Sequence, residues 1–113
     1  MPLKTGKSKR RNKMREMTIE LKEALRQHAY TFFANESGMD VGDLNDEMTI
    51  MDDLDGDSLM FVELVESAKE RFDMDIKLQV VGKYLLRKPA DTLGEVVATM
   101  EKIYIHGNNI DVN

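Results

Sequence analysis

The stretch SLMFVELVESAKERF, residues 58–72, most constrains what this chain can fold into. At about 100° per residue it gathers Phe61, Val62, Leu64, Val65, Ala68 and Phe72 on one broad face and sets Glu63, Glu66 and Glu70 on the other. A helix of that length has little stability alone, so other elements must cover its apolar face. Three further segments share the helical period. TIELKEALRQHAYTFF, from Thr18 as N-cap, puts Leu21, Leu25, His28 and Phe32 on one face, with Glu20 and Glu23 suiting the positive helix end. Thr92 and Glu95 form a capping-box pattern ahead of Leu93, Val96, Val97, Met100, Ile103 and Tyr104. Between them IKLQVVGKYLL, residues 76–86, fits a short helix ended by Pro89, with a strand as the second reading of LQVV. The expected fold is all-α: a small four-helix bundle with a long first loop and a short third helix.

At 113 residues the chain holds one domain, expected over residues 18–105. Residues 1–17 form a basic arm with Lys4, Lys7, Lys9, Arg10, Arg11, Lys13 and Arg15 and almost nothing to bury, which reads as a disordered tail. HGNNIDVN, residues 106–113, reads as a frayed end. The net charge of −5 hides a strongly acidic body. From Arg26 to Lys69 no lysine or arginine intervenes, while aspartates and glutamates are dense. Such a surface repels nucleic acid, none of which is expected as a partner, and attracts basic protein surfaces. No apolar run approaches a membrane span, and the basic arm lacks the apolar core of a signal peptide, so the expected location is cytoplasmic. An acid-free arm leaves a mitochondrial address as the second reading.

The chain has no cysteine, so any thiol chemistry must use a borrowed thiol. His28 and His106 belong to no metal-ligand spacing, and no catalytic constellation is visible. Chemistry concentrates instead at DLDGDS, residues 53–58, at the end of a long acidic loop anchored by Val41, Leu44, Ile50, Met51 and Leu54. A calcium loop of EF-hand type fails there in both registers. Starting at Asp53, position six is Ser58 and position twelve Leu64; with Gly56 at six, positions one and twelve are Met51 and Val62. No metal ligand is assigned. Ser58 is locally an N-cap or, given the acidic approach, an attachment point. Leu59 interrupts the polar face as a tolerated exposure or a contact residue.

The stretch DLDGDSLMFVELVESAKERFDMDI resembles the signature of acyl carrier proteins at Asp57, Ser58, Leu59, Val62, Glu63, Leu64, Val65, Phe72, Asp73 and Ile76. The order of helices from Thr18 to Tyr104 is also similar. This resemblance implies a bundle of acyl-carrier type in which Ser58, flanked by Asp57 and Leu59, carries 4'-phosphopantetheine covalently. A holo-carrier synthase or another phosphopantetheinyl transferase would attach the group from coenzyme A. Ser58 is then a substrate hydroxyl, in keeping with the lack of any histidine from Ala29 to Ile105. The protein would catalyse nothing itself and would carry acyl groups as thioesters in fatty acid, polyketide or specialised lipid synthesis.

Leu59, Met60, Glu63, Glu66 and Glu70 would dock the basic surfaces of acyl-loading, ketosynthase or acyltransferase enzymes, with weak, salt-sensitive affinity suited to a monomeric shuttle. Phe32, Val62, Leu64, Val65, Met74, Val97 and Met100 would line an interior able to admit an acyl chain. Departures from the family are Met60 where an acid is common, Lys69 and Arg71 late in the helix, and a basic third region, KLQVVGKYLLRKPA. They point to a carrier of a dedicated pathway. Two other classes stay open: an unmodified helical adaptor and a divalent-cation binder.

Overall fold

The computed structural model describes residues 16–54 and 56–110, and of Ser58 the backbone. Residues 1–15 of the expected arm and 111–113 of the expected tail lie outside the described residues. Four helices form: α1 Ile19–Ser37, α2 Ser58–Phe72, α3 Leu78–Arg87 and α4 Leu93–His106. Helix α1 packs chiefly on α4 and also on α2, while α2 bridges to α3 and α4. The all-α bundle is therefore as expected, with LQVV helical.

Thr18 starts α1 by accepting the Leu21 N–H at 3.1 Å, and Gly38 ends it in the left-handed region at φ 72°. The buried line of α1 runs through Leu25, Ala29 and Phe33, with Ala34 beside it. The expected stripe shares Leu25 with this line, but Leu21, His28 and Phe32 are only half-buried. Ala29, with little hydropathic signal, is as fully buried as Leu25 and Phe33, because a small residue lets helices approach closely. In α2 the buried residues are Phe61, Leu64, Val65 and Ala68, and Phe72 packs against them half-buried; Val62 is half-buried without packing on the core, which corrects its place in the expected interior lining. Leu64, Val65, Met74, Val97 and Met100 close one apolar cluster, and Phe32 packs at its edge. Met17, assigned by sequence to the arm, also packs on this cluster.

Helix α3 buries only Val81 and Tyr84, the least of the four. Helix α4 has a complete capping box: Thr92 Oγ1 accepts the Glu95 N–H, and Glu95 accepts the amides of Asp91 and Thr92. Those two backbone donors hold the Glu95 carboxyl below its ordinary 4.5.

Residues 106–110 correct the expectation of a frayed end. His106 closes α4, Gly107–Asn109 forms a 3-10 turn, and Ile110 is buried. Asn108 receives the Lys77 N–H on Oδ1 at 2.7 Å and donates to Asp75. Gly107 makes the turn possible with φ 55° and ψ −136°, and a Cβ there would sit 2.6 Å from the Asp75 carbonyl oxygen. In sequence the Gly-Asn-Asn run signals only a stop, because its partners lie some thirty residues away. Gly107→Ala is expected to lower stability by roughly 1–3 kcal/mol in urea unfolding, through backbone strain and displacement of the α2–α3 connection.

A polar clasp joins α1 to α2. Ser67 Oγ donates to the Leu64 carbonyl, so His28 Nε2–H donates to Ser67 Oγ at 2.8 Å, and Nδ1 accepts from Arg71 at 3.2 Å. The ring also meets Phe72 edge-on at 5.6 Å. Burial, then the Arg71 charge, pushes the His28 pKa below its ordinary 6.5. The folded chain thus holds fewer protons here than the unfolded chain just below pH 6.5, so stability present above that pH falls as the medium is acidified. Urea midpoints compared at pH 7.5 and roughly pH 5.5 should show a larger loss in the parent than in His28→Gln.

Candidate functional site

The site begins with a problem at α4: Leu93 and Gly94, its first two residues, have backbone N–H groups that cannot bond within the helix. The long first loop supplies their acceptors. Leu93 N–H donates to the Met48 carbonyl at 2.9 Å and Gly94 N–H to the Asp46 carbonyl at 3.0 Å, while Ile50 N–H returns a bond to the Asp91 carbonyl at 2.9 Å. A short antiparallel bridge, Thr49 to Thr92, results. Gly94 permits this approach, since a Cβ there would lie 3.0 Å from that of Asp46. The Asp46 side chain faces α1, accepting from both Arg26 and the Tyr30 hydroxyl. These donors hold its carboxyl below the ordinary 3.8, and Asp46 in turn raises the Arg26 guanidinium.

Leu44, Ile50 and Leu54 anchor the loop in the core, as expected, whereas Val41 and Met51 are exposed, Met51 at 73%. For the last pair the Thr49–Thr92 bridge sets the direction, with Ile50 inward and Met51 outward. Asp53 accepts the Thr49 N–H at 2.8 Å, closing a turn. Gly56 N–H then donates to the Ile50 carbonyl at 2.7 Å. A Cβ on Gly56 would meet Met60 Sδ at 2.6 Å and Ile50 Cγ2 at 3.0 Å, so only glycine fits without a shift.

The chain leaves this crossing straight into α2. Asp57 is the N-cap, extended at φ −145° and ψ 179°, and its Oδ1 accepts the Met60 N–H at 3.1 Å. Ser58 is therefore the first helical residue, correcting the reading in which it caps. Asp57 is the better cap at neutral pH because its acceptor carries charge at the positive helix end. Beyond it, Leu59, Glu63, Glu66 and Glu70 recur at four, three and four residues along one exposed stripe, with Leu59 61% exposed. Met60 lies half-buried beside this stripe, turned toward Gly56.

Residues 30–99 match the family described as "Phosphopantetheine attachment site". The chain is also 47% identical over 97 residues to the acyl carrier protein homolog of Clostridium acetobutylicum, covering 86% of this chain and 94% of that protein. The chain belongs to the acyl carrier protein family. A shorter match, 49% identical over 39 residues, is to the acyl carrier protein of Desulforapulum autotrophicum, spanning 34% of this chain and 51% of that protein.

The protein is thus a non-catalytic carrier of acyl thioesters, working through a phosphopantetheine group with enzymes of the carrier pathways. In this carrier the structure brings Asp57, Leu59, Met60, Glu63, Glu66 and Glu70 together at the start and along one side of α2. Sequence reasoning missed the clasp of Arg26, Tyr30 and Asp46 and the close approaches at Gly56 and Gly94. The available signal was Gly94 itself, a poor helix former inside a capped first turn. Asp57→Ala is expected to cost about 1 kcal/mol in urea unfolding by removing the charged side-chain acceptor and leaving the Met60 N–H only the Asp57 backbone carbonyl at 3.1 Å, and Asp57→Asn to recover most of it.

Proposed function

We propose that the phosphopantetheine group is attached at Ser58 and that the stripe of α2 below it docks partner enzymes. The observation carrying this reading is that Asp57 supplies the cap of α2, which makes Ser58 the first helical residue beyond a pinned loop. A serine is not required there for capping. The position also fits the group: a phosphodiester at the first residue of a 15-residue helix lies at the positive end of its macrodipole. When bound, the group supplies the thiol that this cysteine-free chain lacks, and acyl units ride on it as thioesters.

The residues of the chain do the remaining work. Gly56 and Asp57 fix where Ser58 enters the helix. Glu63, Glu66 and Glu70 offer carboxylates to lysines and arginines of a transferase and then of acyl-loading, ketosynthase or acyltransferase enzymes, while Leu59 and Met60 supply apolar contact near the attachment point. Exposed charge raises the encounter rate without making the complex long-lived, which a shuttle requires. The basic third region favours a dedicated pathway over general fatty acid synthesis.

Incubation with coenzyme A, Mg²⁺ and a broad-specificity phosphopantetheinyl transferase should add one phosphopantetheinyl group by intact mass. Ser58→Ala should abolish the gain while remaining folded by circular dichroism. A parent chain unmodified by several transferases would favour the unmodified adaptor instead.

A further inference from the structure

Helix α3 carries charge of the sign opposite to the body around it. Of the nine lysines and arginines beyond residue 15, four are Lys77, Lys83, Arg87 and Lys88, and no acid lies between Asp75 and Asp91. Lys83, Leu86 and Arg87 are exposed on α3, with Lys83 and Arg87 four residues apart on one side. Neither cation has an ion-pair partner among the described residues. Leu86, between them in sequence, is 85% exposed, the most of any large apolar side chain described.

The basic region also has a hollow. Lys88, over the Tyr84 ring at 5.8 Å, lines with Lys102 and His106 a cleft of about 240 Å³, completed by Tyr84, Asn109 and Ile110. Tyr84 and Ile110 are buried, so the cleft has an apolar floor and cationic walls. Tyr84 and Lys88 lie about 180° around the helix from Leu86, so the cleft is separate from the outer face that carries Lys83, Leu86 and Arg87.

We propose that the outer face of α3 forms a second docking point, whose occupant is an acidic patch on the partner enzyme that also engages the α2 stripe. Leu86 enters an apolar notch of that patch, and Lys83 and Arg87 pair with carboxylates around it. This rests on the carrier reading above. Its consequence is orientation: a uniformly basic enzyme is drawn to α2 and repelled at α3, so only a surface bearing both signs seats fully. A single exposed leucine on a ten-residue helix is too little apolar face for a membrane surface, and the acidic body opposes anionic lipid.

The test places a photo-crosslinking amino acid at Leu86 or, separately, at Leu59 in the full chain within its native cell, and maps each adduct by tandem mass spectrometry. Both positions should trap the same polypeptide, the Leu86 adduct in a segment rich in aspartate and glutamate and the Leu59 adduct in one rich in lysine and arginine. Lys83→Glu with Arg87→Glu should lower the yield of the Leu59 adduct about tenfold. Any of three results would overturn the proposal: Leu86 adducts only to lipid or to a second copy of this chain, adducts in a segment without acids, or a Leu59 yield indifferent to charge reversal. Intact mass after transferase treatment separates the two readings. Normal modification of the parent and the double variant with failed crosslinks sinks only the second docking point, whereas an unmodified parent sinks the attachment at Ser58.

Discussion

The hydrogen bonds that carry the Leu93 and Gly94 amides to loop carbonyls are the interaction on which the rest of the structure depends. They satisfy the first donors of α4 and, in the same step, convert a long acidic connection into a fixed element. Asp46 extends the attachment to α1 through Arg26 and Tyr30, so the loop is tied to both helices that pack most closely on each other. Individually these partly exposed polar contacts contribute little. Their value lies in concert, because together with Leu44, Ile50 and Leu54 they determine where Gly56 crosses Ile50 and hence where α2 begins.

That starting point organises the functional surface. With Asp57 as cap, the next residue is the first of the helix and the stripe from Leu59 to Glu70 faces solvent. A carrier has to be recognised by successive enzymes and released by each, which favours exposed charge over a large buried interface. The two surfaces proposed for docking have opposite signs, α2 acidic and α3 basic, on a body that is otherwise acidic. Orientation on a partner can then be set by electrostatics before close contact forms.

Much of this was legible in the sequence because it is local. The period of residues 58–72, the Thr18 cap and the Thr92–Glu95 box fix three helices from neighbouring residues alone. The DLDGDS stretch, with its resemblance to carrier proteins, pointed to the family that the comparisons show. What was not legible depends on distant partners. The buried line of α1 runs through Ala29 because another helix comes close, and the tail to Ile110 folds back because Gly107 and Asn108 find Asp75 and Lys77. Likewise, Met51 is as apolar as the anchors beside it, but the bridge to Thr92 turns it outward.

Amide hydrogen exchange at Gly56, Leu93 and Gly94 tests the central claim, that a pinned loop fixes the start of α2, most directly. All three donate to loop or crossing carbonyls and none bonds within a helix. Exchange nearly as slow as in the middle of α4 is expected. Exchange at the rate of an unstructured chain, with the centre of α4 still protected, would contradict it.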